Sequence, residues 1–193
     1  MSTIIEQPKL LTTADLLAFP DDGVERWLIR GQLRENRESD ATKRNRWHSR
    51  VLVSVGSLLK SWRDRLPEPR GEVQGGEAGC ILSHEPDSTV GIDVAYFGPE
   101  VAELESDDTT LMDGPPILAI EILSPSDRLK DINEKIKAYL SAGVKLVWVI
   151  DPYQKTVLVH RPDAPPRLFN VTETIDAEPH LPGFSAPVAK IFE

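Results

Sequence analysis

The chain has 193 residues, of which 40% are hydrophobic, and it carries a formal net charge of −9. This length suits one full hydrophobic core, so we predict a single domain over residues 1–193. The sequence has neither an apolar stretch of the roughly 18 residues that a membrane span needs nor the pattern of a signal peptide, so we expect a cytoplasmic protein with no membrane partner. The single cysteine, Cys80, excludes an intramolecular disulfide and a Cys-Cys metal site.

The charge is distributed unevenly along the chain. Nine acidic residues and no lysine or arginine lie between Glu85 and Asp113, whereas eight basic and two acidic residues lie between Lys43 and Arg70. Phosphate binding depends on lysine and arginine, so the net charge alone argues against a nucleic-acid partner. The basic segment nevertheless allows a local basic face, with a solvated helix surface as the alternative interpretation.

The first third of the chain predicts a helix, a hairpin and a second, longer helix. A threonine can cap a short helix over residues 14–17. Two strands follow, over 25–29 and 32–35, joined by Arg30-Gly31, a two-residue turn in which glycine allows a positive φ. From residue 41 to about 66, apolar residues recur with the helical period.

The remainder predicts strands and one further helix. Strand candidates separated by glycine and proline are residues 71–74, 78–83, 90–97, 117–123, 146–150, 156–161 and 167–171. A helix over 127–142, capped by Ser126 and ended by Gly143, lies between the fourth and fifth of them. The acidic segment 98–116 is expected to be a loop.

A glutamate interrupts the most hydrophobic run of the chain. Glu121 lies within residues 117–123, a short apolar run that Ser-Pro ends, which predicts a fully buried strand. Burial penalises an ionised carboxylate unless a partner compensates it. A metal ion, a catalytic lysine or a structural ion pair could each be that partner.

A second carboxylate, Asp93, interrupts the strand over 90–97 in the same way. Side chains alternate between the two faces of a strand, so Asp93 and Glu121 converge if their strands are neighbours. Converging carboxylates repel each other unless they share a proton or a divalent cation lies between them. Oxygen ligands without a Cys or His cluster favour Mg²⁺ or Mn²⁺ over Zn²⁺.

Five motifs occur in a fixed order in the second half of the chain. They are Ile-Asp-Val-Ala-Tyr-Phe at 92–97, Ala-Ile-Glu-Ile-Leu-Ser-Pro-Ser at 119–126, Asp131-x-x-x-Lys135-x-x-x-Tyr139, Ala-Gly-Val at 142–144, and Val-Trp-Val-Ile-Asp-Pro at 147–152. Their order and spacing resemble those of the Uma-type endonucleases of the PD-(D/E)xK nuclease superfamily. The resemblance extends from the hairpin at Glu25 through the hairpin after Asp151.

The resemblance implies an α/β fold with a restriction-endonuclease-like core. In such a core a mixed, curved β-sheet is flanked by helices, and here an N-terminal hairpin precedes it. We expect the long helix against one face of the sheet and the helix over 127–142 against the other.

The resemblance also implies an active site. Asp93 and Glu121 would bind Mg²⁺, or Mn²⁺ in its place, and a lysine would orient or activate the attacking water. The chain departs from the superfamily here, because Glu121-Ile122-Leu123 stands where Glu-x-Lys is expected. Lys135 on the next helix matches the position of the relocated lysine in this family, although it could instead form a surface salt bridge with Asp131.

Two further residues match positions of the family. Glu25 would add a carboxylate, and His48 would contact a phosphate or a metal-bound water. The alternative is that His48 is a structural histidine whose hydrogen-bonding groups are satisfied within its helix. Tyr139 is interpreted as a core residue, because it belongs to the apolar face of its helix.

The implied function is Mg²⁺-dependent hydrolysis of DNA phosphodiester bonds by Asp93, Glu121, Lys135, Glu25 and His48. The basic segment would bind DNA weakly and in a salt-sensitive manner, and a homodimer would let two sites cut two strands. The alternative is a catalytically inactive nuclease-like DNA-binding or protein-interaction module, which the missing Glu-x-Lys lysine and the acidic segment favour. Hydrolysis of another phosphate substrate is a third hypothesis, but the sequence has no Gly-rich phosphate-binding loop to support it.

Overall fold

The structure is a computed structural model that describes residues 9–36, 45–104 and 110–193. Its helices are α1 (Thr13–Leu17), α2 (Arg46–Arg63), α3 (Pro99–Ala102), α4 (Leu129–Ala142) and a 3₁₀ helix (Val188–Phe192). Its strands are β1 (Glu25–Ile29), β2 (Gln32–Asn36), β3 (Glu72–Ser83), β4 (Ser88–Phe97), β5 (Met112–Asp113), β6 (Leu118–Ile122), β7 (Leu146–Asp151), β8 (Thr156–Arg161), β9 (Ala164–Asn170), β10 (Thr174–Asp176) and β11 (Ser185–Pro187).

Nine of these strands form one curved, mixed sheet. Its order is β2-β1-β4-β6-β7-β8-β9, and β3 pairs with both β4 and β5. The pairs β6–β7 and β3–β5 are parallel, and the others are antiparallel. Strands β10 and β11 form a small second sheet. No helix in the described part of the chain is long and apolar enough to cross a membrane.

Helices α2 and α4 pack against opposite faces of this sheet, as predicted. Alternate residues of each strand face opposite ways, so the central strands contribute to two separate apolar clusters. The cluster on the α2 side includes Val51, Val55, Leu59, Val94, Ile120 and Trp148. The cluster on the α4 side includes Ala95, Ala119, Ile132, Ile136, Tyr139 and Val147. The predicted fold class, a mixed sheet flanked by helices with an N-terminal hairpin, is confirmed.

The N-terminal hairpin forms where the turn chemistry predicts it. Arg30 and Gly31 have φ values of 53° and 72°, which is the conformation of a two-residue hairpin turn with both central residues left-handed. The preceding helix α1 is capped by Thr12, whose side chain accepts a hydrogen bond from the Asp15 amide.

Helix α4 begins later than predicted. It was expected to start at residue 127 with Ser126 as its cap, but it starts at Leu129 and its N-cap, Arg128, makes no side-chain capping hydrogen bond. The reason is a competing local turn, in which the Asp127 carboxylate accepts a hydrogen bond of 2.7 Å from the Ser124 amide. Leu129, the first residue of the helix, is 76% exposed.

Helix α2 is shorter at its C-terminus than predicted. It ends at Arg63, with Asp64 as the C-cap, instead of near residue 66. The helix stops four residues before Pro67, whose ring disfavours helical geometry in the residue before it. Residues 41–44 of the predicted helix lie outside the described residues.

The predicted strands over 71–74 and 78–83 are one strand, β3. A bulge between Gly75 and Ala78 joins them, where Gly76 and Glu77 have φ values of 86° and 65°. The predicted acidic loop, 98–116, contains the short elements α3 and β5, while its residues 105–109 lie outside the described part. Strand β9 begins earlier than predicted, because prolines are tolerated in an edge strand.

Candidate active site

Asp93 and Glu121 approach each other where β4 and β6 stop pairing. The last paired residues are Val94 and Ile120, so the two carboxylates lie one position further along their strands. Beyond this point the Ile122 amide donates a hydrogen bond of 2.7 Å to Asp93 Oδ2. Asp93 is 6% exposed and Glu121 is 4% exposed. The two interrupted strands are therefore neighbours, and their acids face the side of the sheet that α4 covers.

Lys135 extends from α4 into this buried acidic cluster. Its Nζ atom lies 3.1 Å from Glu121 Oε2, 3.3 Å from the Gly91 carbonyl oxygen and 3.8 Å from Glu25 Oε1. The ammonium also lies 5.5 Å from the centre of the Trp27 ring, within the range of a cation–π contact. An ion pair between Lys135 and Asp131, the alternative suggested by their spacing, does not occur among the described residues.

Tyr139 lies one turn after Lys135, and its hydroxyl donates a hydrogen bond to Glu121 Oε1. The ring is fully buried in the cluster on the α4 side, which agrees with its interpretation as a core residue. The contact of its hydroxyl with Glu121 was missed. The signal was the four-residue spacing from Lys135, which places both side chains on one face of the helix.

Removing the Tyr139 hydroxyl should cost more stability than removing another buried tyrosine hydroxyl. At a pH where Glu121 is ionised, Tyr139→Phe should lower the free energy of unfolding by about 1.5–3 kcal/mol, because a charged acceptor loses its donor. The control is Tyr96→Phe, whose hydroxyl donates to the neutral Arg70 carbonyl at 3.0 Å. That change should cost about 0.5–1.5 kcal/mol. Denaturant unfolding of both variants tests this, and equal losses would contradict the charged contact.

His48 contacts Asp93 from the first turn of α2. The Asn45 side chain caps this turn by accepting hydrogen bonds from the Trp47 and His48 amides at 3.0 and 3.1 Å. His48 Nε2 lies 3.0 Å from Asp93 Oδ1, although neither ring nitrogen makes a well-aligned hydrogen bond within the described structure. His48 is only 1% exposed and is not among the residues that line the cleft on the open side of the site.

The N-terminal hairpin brings Glu25 to the same cluster. Glu25 is the first residue of β1 and remains partly exposed beside Lys135. Arg34 of β2 forms a two-pronged ion pair with Glu134 of α4, with distances of 2.7 and 2.6 Å. This pair ties the hairpin to the helix that carries Lys135. The structure thus brings together all five residues that the sequence singled out, although their catalytic roles stay predictions.

A small cleft opens on this cluster, with a free volume of about 30 Å³. Such a volume has room for one or two water-sized ligands. Its lining combines the acids Glu25, Glu77, Asp93, Glu121, Asp127 and Asp131 with Trp27, Asn36, Ile122, Arg128, Ile132 and Lys135. Half of the residues that line the cleft are therefore acidic, against two basic ones, of which Lys135 is buried.

The environment pushes the pKa values of the two central acids apart. Burial raises the pKa of Glu121 to about 7, although Lys135 partly offsets this effect. For Asp93, burial also acts to raise the pKa, but His48, the Ile122 amide and Lys135 together outweigh it and lower the pKa. Burial likewise opposes the charge of Lys135, yet Glu121, Glu25 and Asp93 raise its pKa. Asp93 and Lys135 are thus charged at neutral pH, while Glu121 titrates there.

Comparison with known proteins places the chain in a family. Residues 14–189 match the model of the Uma2 family, which is described as "Putative restriction endonuclease". The chain belongs to the Uma2 family. The resemblance to the Uma-type family that the motifs indicated is therefore confirmed. No curated protein matches this Uma2 chain significantly.

A solved structure shares the fold of this Uma2 protein. It is described as a "putative nuclease belonging to DUF820" from Anabaena variabilis, and it superposes with a TM-score of 0.76 at 20% sequence identity. The match covers 94% of this chain and 97% of the other. At this low identity the similarity establishes the shared fold.

Proposed function

We propose that this Uma2 protein is a metal-dependent nuclease that hydrolyses phosphodiester bonds of DNA. The observation that carries the proposal is the buried position of Lys135, whose ammonium lies 3.1 Å from Glu121 although the strand of Glu121 supplies no lysine. A lysine loses hydration when it is buried, so its place beside two buried acids needs a reason. A catalytic cation beside metal-binding carboxylates is such a reason.

The oxygen donors of the site fit Mg²⁺ better than a metal that needs a complete protein cage. No group of three or more His, Cys, Asp or Glu side chains within the described residues is arranged to hold a metal ion. Mg²⁺ commonly uses one or two carboxylates and completes its coordination with water and substrate phosphate oxygens. Asp93 and Glu121 would hold it, with Mn²⁺ as a substitute. A bound ion of this kind lowers the pKa of a water ligand and polarises the phosphate.

The surrounding residues orient the two acids. The Ile122 amide fixes one oxygen of Asp93 at 2.7 Å, and His48 lies at the other at 3.0 Å. Glu121 is held at both oxygens, by Lys135 and by Tyr139. Fixed orientation matters because catalysis depends on ligands held within a few tenths of an ångström of the productive geometry.

Lys135 would act on the phosphate and on the attacking water. Its ammonium would donate hydrogen bonds to a non-bridging phosphate oxygen, where negative charge develops in the transition state. The same group would orient the water for attack. Glu25, at 3.8 Å, contributes to the field that keeps Lys135 charged.

A catalytically inactive nuclease-like module is the second candidate. Both oxygens of Glu121 are already hydrogen-bonded within the protein, as in a purely structural ion cluster. Incubating supercoiled plasmid with Mg²⁺ or Mn²⁺, with and without a chelator, separates the candidates. Cleavage that the chelator stops supports the nuclease, whereas an intact plasmid together with no metal binding by calorimetry supports the inactive module.

Metal binding should weaken as the pH falls below about 7. Burial raises the pKa of Glu121 to about 7, and a cation binds its ionised form. Protons therefore compete below this pH, so the apparent Mn²⁺ affinity should fall by up to about tenfold per pH unit. Above it the affinity should level off. Because the pKa of Asp93 is lowered, Asp93 stays ionised across this window.

Calorimetric Mn²⁺ titrations between about pH 5.5 and about pH 8.5 would measure this dependence. An affinity that does not change with pH in this window would contradict either the raised pKa of Glu121 or its role as a ligand. Thermal unfolding at each pH would show that the protein stays folded throughout.

A further inference from the structure

The basic segment between Lys43 and Arg70 is available to a ligand only in part. Lys60 and Arg63 contact Asp64 at 3.2 and 2.9 Å, and Arg70 contacts Glu68 at 2.6 Å. Lys43 and Arg44 lie outside the described residues. The described members that make no ion pair with a described carboxylate are Arg46, Arg50 and Arg65.

Two of these arginines are held against the same aromatic ring. The guanidinium carbons of Arg46 and Arg50 lie 4.4 and 5.2 Å from the centre of the Trp47 ring. Stacking of this kind restrains a guanidinium group while leaving its N–H edges free to donate hydrogen bonds. Arg46 and Arg50 are exposed, and Trp47 is partly exposed. Their four-residue spacing places both arginines on one face of α2.

This arginine pair lies at the end of α2 that reaches the candidate active site. His48, between Arg46 and Arg50 in the sequence, contacts Asp93 at 3.0 Å. Arg65 follows the opposite end of the helix, which ends at Arg63. An 18-residue helix is about 27 Å long, so Arg65 is well separated from Arg46 and Arg50. Arginines that make no ion pair with a described carboxylate therefore lie at both ends of α2. Only the end that carries Arg46 and Arg50 contacts Asp93, through His48.

We infer that Arg46 and Arg50, held on Trp47, bind backbone phosphates of the nucleic acid next to the bond that is cut. The inference rests on the proposed nuclease function and extends it to the residues that hold the substrate. A site lined by several acids repels a polyanion, so cations close to it are needed to retain one. A guanidinium group offers paired donors that match two phosphate oxygens. Contacts of this kind set position and are independent of base sequence.

Binding of a fluorescent DNA duplex of about 20 base pairs, measured by anisotropy over a range of salt concentrations, tests this inference. A chelator in the buffer prevents cleavage during the measurement. The double variant Arg46→Ala/Arg50→Ala should bind about 10–100-fold more weakly at low salt, and the slope of log affinity against log salt should fall by about 2. The matched control, Arg65→Ala, removes a cation at the far end and should change the affinity by less than about twofold. A duplex RNA of the same length, tested in parallel, shows whether the contact requires DNA.

Several outcomes would overturn the inference, whether or not the protein is a nuclease. The first is that the parent does not bind DNA, and the second is that the double variant keeps the salt slope of the parent. The third is that Arg65→Ala loses as much DNA affinity as each of the single variants Arg46→Ala and Arg50→Ala. A parent that binds DNA through the two arginines but cuts nothing with Mg²⁺ or Mn²⁺ would support the phosphate contacts of Arg46 and Arg50 and contradict the nuclease function. Equal losses on DNA and RNA would assign the arginines to backbone phosphates in general, and a loss confined to DNA would assign them to the DNA duplex.

Discussion

Asp93→Asn should abolish DNA cleavage and strongly weaken Mn²⁺ binding. The substitution keeps the size of the side chain and an oxygen that can accept the Ile122 hydrogen bond, but it removes the negative charge. Burial acts to raise the pKa of Asp93, but the effects of His48, the Ile122 amide and Lys135 on this carboxylate outweigh burial and lower the pKa. The negative charge is therefore present at neutral pH. Metal catalysis contributes several kcal/mol to hydrolysis, and its loss corresponds to about 10³-fold or more in rate. Plasmid time courses and calorimetry would measure the two effects.

The matched control is Asp113→Asn. Asp113 lies in β5, is exposed, and pairs with the exposed His84 at 2.8 Å, outside the lining of the cleft. Its replacement should leave both metal binding and cleavage at the level of the parent. Cleavage at the parent rate by Asp93→Asn would rule Asp93 out as a metal ligand.

Lys135→Met should separate metal binding from cleavage. Methionine keeps much of the apolar stem but removes the ammonium that contacts Glu121 and the Gly91 carbonyl. Mn²⁺ binding at about pH 8 should persist, because both acids remain, while cleavage falls by about 10²–10³-fold, the usual loss when one hydrogen-bond donor to the charge of a transition state is removed. Without metal the variant should be less stable by about 3–5 kcal/mol, since a buried charge loses its partner. Added Mn²⁺ should restore part of that stability.

The control for this substitution is Lys137→Met, an exposed position two residues further along α4. It removes the same charge from the same helix and should change neither cleavage nor the response to Mn²⁺. A Lys135→Met variant that loses stability but cuts DNA as fast as the parent would give Lys135 a structural role alone.

The elements of the fold could be predicted where their signals are local. The Arg30-Gly31 turn and the apolar periods of α2 and α4 depend on neighbours a few residues away, and all three formed close to the expected positions. The continuity of β3 could not be predicted, because Gly75 and Gly76 are typical of a turn that separates two strands. Pairing with β4 on both sides of the bulge, where Glu72 pairs with Phe97 and Ala78 pairs with Ile92, carries the strand through them.

The residues of the candidate site also differ in whether a local signal in the sequence predicts them. Asp93 and Glu121 were visible because a carboxylate inside an apolar strand is a local anomaly. Lys135 could be singled out only through the resemblance to a family, since its spacing from Asp131 also suits a surface salt bridge. The contact of the Tyr139 hydroxyl with Glu121 and the contact of the buried His48 with Asp93 depend on how α4 and α2 dock on the sheet. No local pattern encodes those distances.

The most direct test of the proposed nuclease is cleavage of supercoiled plasmid by the parent and by Glu121→Gln, purified in parallel. We predict that the parent converts the plasmid to nicked or linear forms with Mg²⁺ or Mn²⁺, that a chelator stops the reaction, and that Glu121→Gln leaves the plasmid intact. An intact plasmid with the parent, combined with no Mg²⁺ or Mn²⁺ binding by calorimetry, would contradict the proposal. Cleavage by Glu121→Gln at the parent rate would show that the activity does not arise from this site.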